Sequence, residues 1–406
     1  MNHYPRYPKH KDSGVDWIGN VPEHWEIARI KRVASLRTER CTNVPKGWQY
    51  VGLEDVEPGT GRFHPTDSDS RQMEDSTVGV FRPGDVLYGK LRPYLKKTIV
   101  GDSDGVCSTE FLVLQPKSVM AQWLHQWLLT TEVTQQIEAG CEGTKMPRAD
   151  WEHVGSIPVP YPSLSEQGET IAALDRETSR IDALIAKKTR FIELLKEKIV
   201  ALASQPADSP NLKWVRLSHV CEVISRPVLQ KAGSSYTKLG LFNRGRGIFK
   251  RDETDTEDMG DSEFFWVQPG DLVISGQFAW EGAVALANEN HAGCVVSHRF
   301  PVIRGRKNGV LTEYLLAYFW TIHGDFVLND CSRGSAGRNR PLNMNLLLGW
   351  KIPVPSMQIQ REVARLVQLE RQIGERVNKS IALLRERRST FITAAVTGQI
   401  DLRDEA

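Results

Sequence analysis

The chain repeats itself, and no other property limits its possible folds as strongly. Pro83-Gly84-Asp85 returns as Pro269-Gly270-Asp271 at an offset of 186. At the same offset Tyr50–Phe63 aligns without gaps on Tyr236–Phe249, with Tyr, Leu, two glycines and Phe kept in place. Ser108-x-Glu110-Phe111 answers Ser297-x-Arg299-Phe300, and Ile192-x-Leu194-Leu195 answers Ile381-x-Leu383-Leu384. Ile157-Pro158-Val159-Pro160 recurs as Ile352-Pro353-Val354-Pro355 at an offset of 195. Matches in one order, at offsets near half of 406 residues, mean two homologous halves.

Each half follows one plan. Short β-branched runs closed by Gly and Pro, such as Asp85–Tyr88 and Asp271–Ile274, predict strands and turns. A short helix is expected near Ala121–Ile137 and Leu311–Val327, followed by the proline-rich segment as an extended lead-in. A long helix closes each half, with Ser165-Glu166-Gln167 offering an N-cap in the first. In that helix Ile171, Leu174, Ile181, Ile185, Ile192, Leu195 and Ile199 fall on a heptad seam shared with Thr178, Lys188 and Leu202. Val363, Leu366, Ile373, Val377, Leu384 and Phe391 take the same phase in the second, with Glu370, Ser380 and Arg387 as interruptions. Each helix of about 38 residues would be ~55 Å long. The reading is α+β: two homologous α/β lobes separated by two long helices in an antiparallel, pseudo-twofold coiled coil. The expected segments are 1–164, 165–204, 205–356 and 357–398.

Lys and Arg number 52 against 50 Asp and Glu, so any nucleic-acid contact must come from local basic faces. No apolar run approaches the ~20 residues that cross a bilayer. Met1–Arg6 has no hydrophobic stretch, so no secretory signal is expected. Six scattered cysteines without a CxxC pair read as reduced thiols of a cytoplasmic protein, with no zinc site. Catalytic patterns are missing. Gly84–Lys90 has phosphate-loop spacing, but Leu91 stands where a metal-binding hydroxyl belongs and Pro93 obstructs the helix. His291, Cys294 and His298 have no counterpart in the first half, and Asp102 and Asp104 ahead of Gln115-Pro116-Lys117 are an incomplete nuclease pattern.

Cations and aromatics gather instead in matching loops. The first half offers Lys90, Arg92, Tyr94, Lys96 and Lys97, then Lys145 and Arg148. The second offers Arg244, Arg246, Lys250 and Arg251, then Arg333, Arg338 and Arg340. Such side chains suit phosphate and guanine.

The order of motifs resembles the specificity (S) subunit of Type I restriction–modification systems. The residues that carry it are Lys11–Gly19 with Pro22-Glu23-His24-Trp25-Glu26, then Tyr88–Leu95, Ser108–Phe111, Gly143–Arg148 and Ile157–Pro162 with Ser165–Gln167. The resemblance implies two target recognition domains, each binding half of a bipartite DNA sequence. It also implies a coiled coil that sets the spacing and docks two modification subunits, with two restriction subunits completing the complex. No catalysis and no cofactor would belong to this chain; S-adenosylmethionine, ATP and Mg²⁺ would sit on the partners. The second half departs from the pattern at Ile274–Trp280, which has no cation, although Gln277 could read adenine. A self-contained nuclease or adenine methyltransferase, and a coiled-coil adaptor without a DNA role, are the alternatives.

Overall fold

A computed structural model describes all residues except 1–3, 66–76, 142, 144–145, 205–212, 261, 308, 335–339 and 404–406. Two compact units emerge: Met1–Ala186 with Ser380–Ala406, and Lys187–Lys379. The divisions fall inside the central helix, Leu164–Ser204, and the C-terminal helix, Met357–Val396. The four segments expected from sequence therefore regroup into two bodies, each holding one lobe and a stretch of both helices. The reason is hydrophobic. Ile171, Leu174, Phe391 and Val396 pack into the first lobe's core with Trp123 and Leu128. Ile199, Val363 and Val367 do the same in the second with Tyr314 and Leu328.

The two long helices meet within each unit. In unit 1, Arg388 Nε lies 3.2 Å from Asp182 Oδ1. In unit 2, Lys196 Nζ lies 3.6 Å from Glu370 Oε1. Glu370, an interruption by sequence, is thus a buried, paired seam residue. At the Arg387 interruption it is Arg388 that turns inward, while Arg387 stays exposed.

The two lobes share a topology. In the first, Ala34–Leu36, Phe111–Pro116, Val86–Gly89 and Thr98–Val100 form an antiparallel sheet in that order. In the second, Cys221–Val223, Val302–Gly305, Leu272–Ile274 and Val284–Leu286 form its counterpart. A second sheet in each contains one parallel pair, Gly105–Cys107 with Gln49–Val51 and Val295–Ser297 with Ser235–Leu241. A two-stranded ribbon joins Glu26–Arg29 to Pro158–Tyr161, and Lys213–Arg216 to Lys351–Val354.

That ribbon corrects the proline-rich match. Val159 pairs with Ala28, and Ile352 pairs with Val215, so Pro160 corresponds to Pro353. The identical tetrapeptides are two residues out of structural register. Side chains alternate with period two along a strand, so the slip leaves every residue on its expected face. The true register aligns Gln167 with Gln360. Gln167 donates to Pro162 O (2.8 Å) and accepts from Met120 N (2.8 Å). Gln360 donates to Pro355 O (3.0 Å) and accepts from Leu311 N (2.9 Å). The central helix is also capped earlier than expected: Ser163 Oγ, not Ser165, accepts from Glu166 N (3.4 Å).

The repeated Pro-Gly-Asp is a turn with a buried anchor. Gly84 and Gly270 have φ of 83° and 84°, a conformation that favours glycine. Asp85 accepts from Arg82 N (2.8 Å) and from Arg37 Nε (2.7 Å) and Nη2 (3.2 Å). Asp271 accepts from Gln268 N (2.7 Å), from both terminal nitrogens of Arg226 (2.7 and 3.2 Å) and from Arg304 Nε (2.5 Å).

His125 marks a difference between the lobes. It is buried and hydrogen-bonded to Thr98 O (3.1 Å), where the second lobe has Leu316. Burial pushes its imidazole pKa down to about 4. Between the ordinary value of about 6.5 and that value, the unfolded chain binds a proton that the folded chain does not. Unit 1 should therefore lose up to ~3 kcal/mol as pH falls through this window, and lose no more from this group below it. Chemical unfolding followed from pH 7 to 4 checks this, and His125→Leu should flatten the slope.

Candidate nucleic-acid interface

Three sequence motifs of the first lobe converge on one rim. Lys90 follows the strand Val86–Gly89, and its N–H donates to Glu110 O (2.8 Å) while its carbonyl accepts from Ala149 N (2.9 Å). Arg92 N donates to Pro147 O (2.9 Å), and Leu91 bridges to Arg148. The tracts at 90–95, 108–111 and 146–149 are thus laced by backbone bonds. No helix follows Lys90 directly, so the phosphate-loop spacing has no phosphate-loop geometry.

Side chains sort themselves on this frame. Arg92 takes a left-handed φ of 53° and is exposed, as is Tyr94. Arg148 pairs with Glu110 through Nη2 and Oε1. The other oxygen, Glu110 Oε2, is buried without a hydrogen-bond partner among the described residues. Burial holds the Lys90 ammonium below its ordinary pKa, with Glu110 opposing and Arg148 and Arg40 reinforcing the shift. Lys96 and Lys97 leave the group: Lys96 Nζ donates to Thr131 Oγ1 (2.9 Å), and Lys97 Nζ donates to Leu53 O. Burial lowers both of their pKa values. Lys145 lies outside the described residues.

The second lobe has the same lacing with different side chains. Gly276 N donates to Arg299 O (2.7 Å), and Gly276 O accepts from Leu342 N (2.8 Å). Gly276 therefore holds the place of Lys90, and Arg299 that of Glu110. A Cβ at Gly276 would sit 2.5 Å from Arg299 O. That close approach leaves no room at 276 for a side chain such as that of Lys90. Gln277 and Phe278 are exposed. Trp280 Nε1 donates to Gln277 O (3.1 Å), and the Arg340 guanidinium lies 5.2 Å from the Trp280 ring centroid. Arg244, with φ 58°, donates its N–H to Glu281 O (2.7 Å), bringing the turn at 243–246 beside the turn at 279–282. Arg246 stands 5.4 Å from the Phe242 ring centroid. Arg333 pairs with Asp330, and Arg338 lies outside the described residues.

Arg299 and His298 are exposed and stand on this rim, yet composition did not single them out. The signal was in the repeat: between Ser108-x-Glu110-Phe111 and Ser297-x-Arg299-Phe300 the neighbours persist while the charge inverts. Arg299 makes no ion pair among the described residues.

The seam residues divide by unit. Ile171, Leu174 and Phe391 join the core of unit 1, where Ile181 is also buried and Ile185 and Leu384 are half-buried. Ile199, Leu195, Val363 and Leu366 join that of unit 2, where Ile192, Ile373 and Val377 are half-buried.

Among the described residues no cluster of His, Cys, Asp and Glu could hold a metal ion. No described helix is long and apolar enough to cross a membrane. Asp104 pairs with Arg82 Nη1 (3.3 Å), and His291 Nδ1 accepts from Asn288 N (3.0 Å).

Comparison with known proteins agrees with this layout. The Type I restriction enzyme EcoDI specificity subunit of Escherichia coli is 24% identical over 168 residues, 41% of this chain and 38% of that protein. A chain of a solved type I R-M system assembly is 20% identical, with a TM-score of 0.58 over 93% of this chain and 98% of its own length. Over the 168 matched residues the chain is similar to a Type I restriction specificity subunit, and over most of its length it has the fold of a chain of a type I R-M assembly. It spans about two-fifths of the curated relative it matches. The HsdS subunit from Thermoanaerobacter tengcongensis, 21% identical, covers 94% of this chain and 98% of its own length with a TM-score of 0.41. No protein-family model matches the chain.

Proposed function

We propose that the chain is a cytoplasmic DNA-recognition subunit without catalysis of its own, each unit reading one half of a bipartite duplex target. The observation that carries this is the duplicated rim: one backbone frame, presented twice, with different polar side chains on it. A single frame with two side-chain sets suits two different base sequences. On this reading the long helices join the two readers and dock two modification subunits, and two restriction subunits complete the assembly. S-adenosylmethionine, ATP and Mg²⁺ act on those partners. Two modest half-site interactions joined in one chain gain through effective concentration, and lose that gain when the half-sites are misspaced.

The test is methylation by the reconstituted complex on duplexes in which each half-site is altered separately. Arg92→Ala should weaken use of one half-site by roughly 1–3 kcal/mol and leave the other untouched. An equal loss on all duplexes would make Arg92 a phosphate contact. Full activity of the variant on every duplex would remove the first rim from recognition.

A further inference from the structure

In each unit a hairpin turn of the lobe approaches the long helices, and the two units close that approach differently. In unit 1 the turn ends at Arg62, whose carbonyl accepts from Glu57 N (2.9 Å). The Arg62 guanidinium reaches the central helix at Asp182 (Nη2 to Oδ2, 2.6 Å), and Asp182 also takes Arg388 Nε (3.2 Å). Arg388 Nη2 donates back to the turn at Thr60 O (3.3 Å). One largely covered carboxylate between two guanidinium groups thus fastens the turn to the helices.

Unit 2 has the same turn without the clamp. Phe242 N donates to Gly247 O (3.0 Å), so Gly247, which has no side chain, stands where Arg62 does. The register that aligns Gln167 with Gln360 puts Glu375 at the place of Asp182, and Glu375 accepts instead from Asn288 Nδ2 (3.0 Å). A crevice of about 810 Å³ stays open between turn and helices, with Gly247, His291, Arg371 and Glu375 on its walls. That volume is within the range of small-ligand sites.

Two covered donors on these walls have no acceptor. His291 is 9% exposed, and its Nδ1 accepts from Asn288 N (3.0 Å). Nε2 therefore carries the proton, and that N–H meets no acceptor among the described residues. Arg371 is half-buried and makes no hydrogen bond or ion pair among the described residues. The acids around it are engaged elsewhere: Glu370 with Lys196 (3.6 Å), Glu193 with Arg190 (3.3 Å) and Glu313 with Gln368 Nε2 (3.2 Å). Burial lowers the pKa of both groups, and Arg371 and Lys250 push that of His291 further down against Glu375. Covered donors without partners are costly, and a guanidinium beside a neutral imidazole N–H is suited to an acceptor-only anion.

We propose that this crevice binds a phosphate group, held by Arg371 and by the Nε2–H of His291, in the role that Asp182 plays in unit 1. The sister unit shows the chemistry that fills the place, an anion on guanidinium nitrogens. A phosphate dianion accepts several hydrogen bonds and donates none. Its source is either a free phosphate or a phosphodiester of bound DNA; only the second rests on the recognition reading above.

The full chain with isotope-labelled histidine reports on the site by NMR, the His291 signal being identified by its loss in His291→Gln. Inorganic phosphate should move that signal to saturation, and Arg371→Gln should weaken the titration roughly tenfold or more. Thermal unfolding verifies that the variant keeps its fold, and the unaltered chain decides the matter where it does not. If DNA bound by the reconstituted complex displaces phosphate, and Arg371→Gln lowers the salt dependence of DNA affinity by about one, the phosphate is the DNA's own. If phosphate saturates the site with or without DNA, and the variant binds DNA normally, the ligand is a free phosphate. No saturation by phosphate together with unchanged DNA binding of the variant overturns the site, as does a titration that Arg371→Gln leaves unaltered. Failure of the complex to bind DNA while phosphate still saturates the site removes DNA recognition and leaves the site standing.

Discussion

Asp271→Ala should destabilise unit 2 by about 3–5 kcal/mol, the range for removing one partner of a buried ion pair. Asp271 has no exposed surface and gathers two guanidinium groups and a backbone N–H. Its loss leaves Arg226 and Arg304, both largely covered, facing each other without a counter-charge. Urea unfolding gives the magnitude, and hydrogen exchange at 270–274 against 84–88 assigns it to a unit. The matching substitution Asp85→Ala should shift exchange in unit 1 instead. A loss below 1 kcal/mol for Asp271→Ala would mean that the turn, not the charge, anchors the repeated motif.

Arg299→Ala should weaken binding to the half-site read by unit 2 by roughly 1–3 kcal/mol, about 5- to 150-fold. The physical basis is position. Arg299 occupies on one rim the place that Glu110 holds on the other, and its side chain is exposed without an ion pair among the described residues. Competition of the assembled complex against duplexes with either half-site scrambled separates the two units. The variant should become indifferent to scrambling of its own half-site while still responding to the other. If it loses affinity evenly on all duplexes and its salt dependence falls by about one, Arg299 is a phosphate contact. If neither changes, the charge inversion between the lobes has no part in recognition.

Much of this molecule was legible without coordinates. A duplicated chain must fold twice, so Pro83-Gly84-Asp85 and its copy had to sit in equivalent turns, and period 3.5 along 171–202 had to make an apolar seam. These are local rules: a glycine at positive φ, a side-chain repeat, a proline that refuses a helix. Tertiary structure decided what local rules cannot reach. It slid the two Ile-Pro-Val-Pro segments two residues apart, because Gln167 and Gln360 must clamp the same point of each lobe. Lys96 and Lys97 were drawn onto protein oxygens, and Gly276 was pressed against a carbonyl that excludes any side chain. Glu370 was buried beside a lysine. In each case the deciding partner is remote in sequence, and a hydrogen bond or ion pair between distant residues leaves no period in the chain to read.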